Sequence, residues 1–79
     1  MNAKDLDLTN AFAYADKLAS LPDHLLGAQT EHDGEEINAK LLEAAKREDH
    51  AEIKQLTIHI MELMVGNTLN GLRAALEMP

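Results

Sequence analysis

Four histidines and fourteen acidic side chains hold most of the chemical capacity of this chain. His59 and Glu62 stand one helical turn apart, so on a helix they could offer two ligands to one metal ion. A protein metal site takes three or four ligands, and this pair supplies only two. His50 is too far from His59 to share a turn. His24 and His32, with Asp23, Glu31 and Asp33, would make only a loose surface cluster. Solvated or capping histidines are the simpler reading, so no metal is expected. A His59 buried on an interface helix would act as a pH switch.

Nucleophilic chemistry has as little support. Cysteine is absent, and the single serine, Ser20, precedes Leu21-Pro22-Asp23 in the manner of a helix cap. Gly66 and Gly71 lack the following lysine and the preceding strand of a phosphate-binding loop. The acids read as solvated helix faces and not as a converging pair. A chain of 79 residues also has little volume for a ligand pocket. The expectation is a protein without catalytic residues or cofactor, and not an enzyme.

The elements that must position these side chains are helical. Alanine and leucine dominate the 46% hydrophobic content, and Phe12 and Tyr14 are the only aromatics. The expected fold is all-α: one small helical-hairpin bundle of three to four helices over residues 1–79, completed by homo-oligomerisation because one core of this size is marginal. Asp7 or Thr9 caps a first helix that ends near Ala19, with Leu8, Phe12, Ala15 and Ala19 inward and Ala11 and Leu18 widening the stripe. Ser20 to Gly27 reads as a short separate helical turn. Residues 27–35 then predict a flexible loop with an Asp-Gly turn. Glu35 and Glu36 open a second helix that turns Ile37, Leu41, Ala44 and Ala45 inward, with Lys40 and Glu43 outward.

Asp49-His50-Ala51-Glu52 has the spacing of a capping box after a tight turn near Glu48. Around it, Lys40-Leu41-Leu42-Glu43-Ala44-Ala45-Lys46-Arg47-Glu48-Asp49-His50-Ala51-Glu52-Ile53-Lys54-Gln55-Leu56 resembles the helix-turn-helix part of an ankyrin repeat. The repeat's β-turn and its threonine-proline-leucine-histidine signature are missing. No second copy follows, whereas a solenoid needs about three. The resemblance therefore implies a helical hairpin and nothing further.

The third helix begins near His50. Ile53, Leu56, Ile60 and Leu63 form one seam, and Ile58, Met61, Val65 and Leu72 a second, with Thr68 polar within it. Gly66 to Gly71 predicts a break at about residues 66–68 and a short final helix carrying Leu69, Leu72, Ala75 and Leu76 up to Pro79. A continuous helix would instead use the glycines for close approach. The first seam suits the hairpin. The second is covered either by helix one, closing a bundle, or by another chain. The candidate interface is Ile58, Ile60, Met61, Leu63, Met64, Val65, Leu69 and Leu72.

Charge is unevenly placed. Lys54 and Arg73 offset Glu62 and Glu77, so the whole net charge of −7 lies before Ile53. No basic stripe exists for direct nucleic-acid binding, and anionic membranes are disfavoured. No apolar run approaches the roughly 20 residues that cross a bilayer. The first residues, Met1 to Asp7, lack the pattern of a signal peptide, so a cytoplasmic location is expected. The expected function is self-association, with a dimer favoured, together with binding or inhibition of a protein target; Met61 and Met64 suit an adaptable apolar surface. A first alternative is a nucleic-acid mimic that sets an acidic face of Glu35, Glu36, Glu43 and Glu48 against a basic site on a nuclease or DNA-binding protein. A second is a subunit of a helical assembly, since the element order is weakly similar to rod and needle subunits of type III secretion systems.

Overall fold

Asp7 accepts the Thr9 N–H at 2.9 Å and thereby satisfies one of the free donors at a helix start. The computed structural model, which describes residues 6–77, accordingly begins α1 at Leu8–Ala19. Ser20 ends that helix and does not open a new one: its hydroxyl donates to the Lys17 carbonyl at 2.7 Å. Pro22 stands in an extended conformation just ahead of α2, Asp23–Lys46. The described residues are all helical, with three helices and no strand.

The loop expected at residues 27–35 is instead the middle of α2, and the separate turn from Ser20 to Gly27 is absorbed into the same helix. Neither Gly27 nor Gly34 takes a positive φ. Thr30 donates back to the Leu26 and Gly27 carbonyls, and Gln29 donates to Asp33 one turn on. His32 and Lys40 flank Glu36 as partners one turn away on either side. Tyr14 of α1 also holds Asp33 from outside the helix. These interactions offset the roughly 1 kcal/mol that each glycine costs in a helix interior.

The hairpin turn follows the expectation. The Glu48 N–H donates to the Ala45 carbonyl and the Asp49 N–H to the Ala44 carbonyl, each at 3.0 Å, which is a Schellman closure. Glu48 occupies the left-handed position with φ 54°, where glycine is the usual residue. Asp49 Oδ1 then accepts the Glu52 N–H at 3.1 Å, while the Glu52 carboxylate turns to Arg47. Half of the capping box is therefore present.

α3 runs unbroken over His50–Glu77, so the break expected at residues 66–68 does not occur. Thr68 donates to the Met64 carbonyl at 3.0 Å, within the helix. Gly66 serves close approach: an added Cβ would lie 2.7 Å from the Ala11 carbonyl oxygen of α1. Pro79, the expected terminus, lies outside the described residues, as do the first five residues.

Both α1 and α2 pack along α3, which makes α3 the central helix. Asp7 and Asn10 meet Glu62, Tyr14 meets Gly66, and Asp16 meets Arg73, so α1 runs parallel to the C-terminal half of α3. The buried hydrophobic residues are Ala11, Tyr14, Ala15, Leu18, Ile37 and Ala44. This corrects the inward face of α1. Leu8 and Phe12 remain 59% and 50% exposed, and Ala19 is exposed as well. The close approach at Gly66 sets the Ala11 carbonyl oxygen and the Tyr14 ring edge against the glycine. Ala45 of α2 is likewise exposed and Leu41 half-buried.

Candidate functional site

α3 carries three faces with different tasks. The first holds α1. Glu62 is only 5% exposed, yet both of its oxygens are occupied. Oε2 accepts the Asp7 N–H at 2.9 Å, and the Asn10 amide spans both oxygens at 3.4 and 3.3 Å. His59 Nδ1 lies 3.5 Å away on the exposed side. The carboxylate thus ties the start of α1 to α3. A shallow depression of about 430 Å³ beside it is lined by Asp7, Lys54, Gln55, Ile58, His59 and Glu62. His59 itself is exposed, which leaves the buried-histidine switch without its premise.

The second face holds α2. Ile60 and Leu63 line a cleft of about 160 Å³ together with Ile37. Leu56 joins Ile37 in the neighbouring cleft. Ile60 and Leu63, both half-buried, thus line the clefts toward α2 within the chain.

A polar lock joins the two flanking helices. The Tyr14 hydroxyl donates to Asp33 Oδ2 at 2.8 Å, and Lys17 Nζ approaches the same oxygen at 3.8 Å. Burial, together with the hydrogen bond and charge of Asp33, pushes the Tyr14 hydroxyl up to about 12. His32, Asp33 and Glu36 can bring one ligand atom each within 4.8 Å of one another. Asp33, however, is already bound by Tyr14, Gln29 and Lys17, and Glu36 by His32 and Lys40. Of the three, Asp33 is the hydrogen-bonded junction, with His32 Nε2 3.6 Å from Glu36 beside it. His24, Asp23 and Glu31, expected in a cluster with His32, are spread along α2.

The third face has no partner within the described residues. Ile58, Met61 and Val65 are half-buried, whereas Met64 and Leu72 are 65% and 57% exposed. Leu69 is half-buried at the edge next to α1. Leu8 and Phe12 lie on the flank of α1 opposite Tyr14, the residue that reaches α2, and so extend this apolar face. Helix one therefore covers the Glu62 and Gly66 side of α3 and leaves the second seam open. The feature that sequence reasoning missed is the notch itself, where Gly66 meets Ala11 and Tyr14 of α1; glycine against alanine is a small-residue signature, but only once the helices are paired.

The chain is elongated. The chain measures 49 × 27 × 13 Å with a radius of gyration of 14.0 Å, against about 12 Å for a compact chain of this length. Its accessible surface is 5640 Å². Folded monomers of 8.7 kDa expose about 4,700 Å², which leaves an excess of about 900 Å².

The acidic candidates Glu35, Glu36, Glu43 and Glu48 are all exposed. Glu36 and Glu43 each carry a lysine partner, Lys40 and Lys46. No helix among the described residues is long and apolar enough to cross a membrane. The chain matches no family model, and neither a curated protein nor a solved structure is significantly similar to it.

Proposed function

We propose that this chain is a non-catalytic, cytoplasmic interaction module that pairs with a second copy through the open face of α3 and presents its outer helices to a protein target. The observation that carries this reading is the apolar third face of α3, with Met64 and Leu72 in solvent although the same helix is already packed on two sides. Monomers rarely leave so continuous an apolar surface uncovered. Pairing through this face leaves α2 outward, where Glu35, Glu36 and Glu43 give a target an acidic, lysine-bordered surface.

The nucleic-acid mimic draws less support from the same geometry, because the lysine partners of Glu36 and Glu43 interrupt the carboxylate array that a phosphate backbone resembles. A helical assembly would require the open face to meet a different surface of the next chain, since only such a contact propagates without closing. A self-complementary face favours a closed pair.

Leu72→Glu tests this reading. The residue is already in solvent within one chain, so the variant is expected to keep its helical signal and melting behaviour while losing self-association by light scattering. Ile60→Glu, on the face toward α2, is expected to unfold the chain. A folded Leu72→Glu variant that associates as the unmodified chain does would overturn the proposal.

A further inference from the structure

We infer that His32, Asp33 and Glu36 of α2 bind a divalent transition-metal cation of the zinc class, and that the bound ion clamps the middle of that helix. The site stands apart from the open face of α3 and does not depend on how that face is covered.

On a loop these three residues would have no fixed relation. The continuous helix sets His32 and Glu36 one turn apart with Asp33 beside them. Each of the three brings one ligand atom within 4.8 Å of the other two. His32 Nε2 and Glu36 Oε2 stand 3.6 Å apart, too far for a good hydrogen bond. Two ligands bonded at about 2.1 Å to one tetrahedral ion are separated by about 3.4 Å, close to that distance. The His32 and Glu36 side chains are 70% and 55% exposed, so they are free to turn onto an ion while water takes the remaining position.

Asp33 is the fixed member, with its side chain only 14% exposed. Gln29 donates to its Oδ1 at 2.9 Å and the Tyr14 hydroxyl to its Oδ2 at 2.8 Å. An ionised carboxylate has about four acceptor sites, so one hydrogen bond on each oxygen leaves capacity for a metal. Hydrogen bonds of this kind also orient carboxylates that ligate metals. Lys17 and Lys40 approach Asp33 and Glu36 at 3.8 and 3.6 Å, but both lysines are more than half exposed. Such surface pairs are weak and yield to a dication. One imidazole with two carboxylates suits zinc and its neighbours, whereas magnesium prefers oxygen alone. An ion held by residues 32 and 36 spans Gly34, which meets no neighbour that would call for a glycine and weakens the helix there.

Zinc chloride titrated into the full chain, followed by calorimetry and by amide exchange, tests the site. One saturable site per chain is expected. His32→Ala, Asp33→Asn and Glu36→Gln should each weaken it at least about tenfold, and His24→Ala and His59→Ala should leave it unchanged. Zinc should slow amide exchange across residues 32–36, and magnesium should not. Uptake that does not saturate, equal losses at His24 and His32, or equal protection by magnesium would mean scattered binding to surface acids and would overturn the inference. Unchanged affinity in Asp33→Asn would overturn the three-ligand site, and saturable binding without slower exchange would overturn the clamp. Should Asp33→Asn lose its helical signal through the broken contact to Tyr14, the His32 and Glu36 variants, altered at exposed side chains, decide the matter.

Discussion

Tyr14 lies so close to Gly66 that a Cβ on the glycine would fall 3.0 Å from both the Cβ and the Cδ2 of the tyrosine. The same atom would sit 2.7 Å from the Ala11 carbonyl oxygen, which is backbone and cannot step aside. Gly66 is thus the seat of α1 on α3. Gly66→Ala should gain about 1 kcal/mol of helix propensity and lose about 1–3 kcal/mol to overpacking, for a net loss of stability in urea unfolding. Gly27→Ala and Gly71→Ala meet open space and should each stabilise by up to about 1 kcal/mol. Equal effects at all three glycines would contradict this assignment.

Tyr14 also sets a limit at high pH. Its hydroxyl is raised from 10.0 to about 12 by burial and by Asp33, so the folded state holds the proton more tightly than the unfolded state. The resulting stability is fully present below about pH 10 and is lost as pH rises through about 12. Its size is on the order of 2 kcal/mol. The chain has one tyrosine, so tyrosinate absorbance reports this group alone. Ionisation near pH 10 in the folded protein would show that the lock to Asp33 is not formed. Tyr14→Phe should remove this part of the alkaline destabilisation and weaken the hold between α1 and α2.

Glu62 anchors the other end of α1. Glu62→Ala removes the acceptor of the Asp7 N–H and of the Asn10 amide and leaves a void among buried groups. A loss of roughly 1–3 kcal/mol is expected. Because α2 and α3 do not use this carboxylate to pair, amide exchange should accelerate in the first turns of α1 before it does in the α2–α3 hairpin. Uniform acceleration along the chain would contradict a local anchor.

Legibility followed the range of the interactions. The caps at Asp7 and Asp49 and the turn at Glu48 depend on neighbours a few residues away, and the sequence placed them correctly. α2 was misread because Gly27, Gly34 and the polar run between them carry every local sign of a loop. The partner that helps hold this stretch, Tyr14, lies 19 residues from Asp33 in the chain. The same blindness placed Phe12 inside and left Glu62 as a ligand or a solvated acid, when α1 in fact decides both. The first seam of α3, toward α2, was readable from periodicity. That α1 would sit on the Glu62 and Gly66 side was not, since that depends on where a glycine admits another backbone.

The self-association of the unmodified chain is tested most directly by sedimentation equilibrium over a dilution series, at low and at high salt. The open apolar face of α3 predicts a species of twice 8.7 kDa that dissociates on dilution and persists when salt is raised. A mass of 8.7 kDa at every concentration would contradict the account, because Met64, Leu72 and the seam between them would then face water in the native protein.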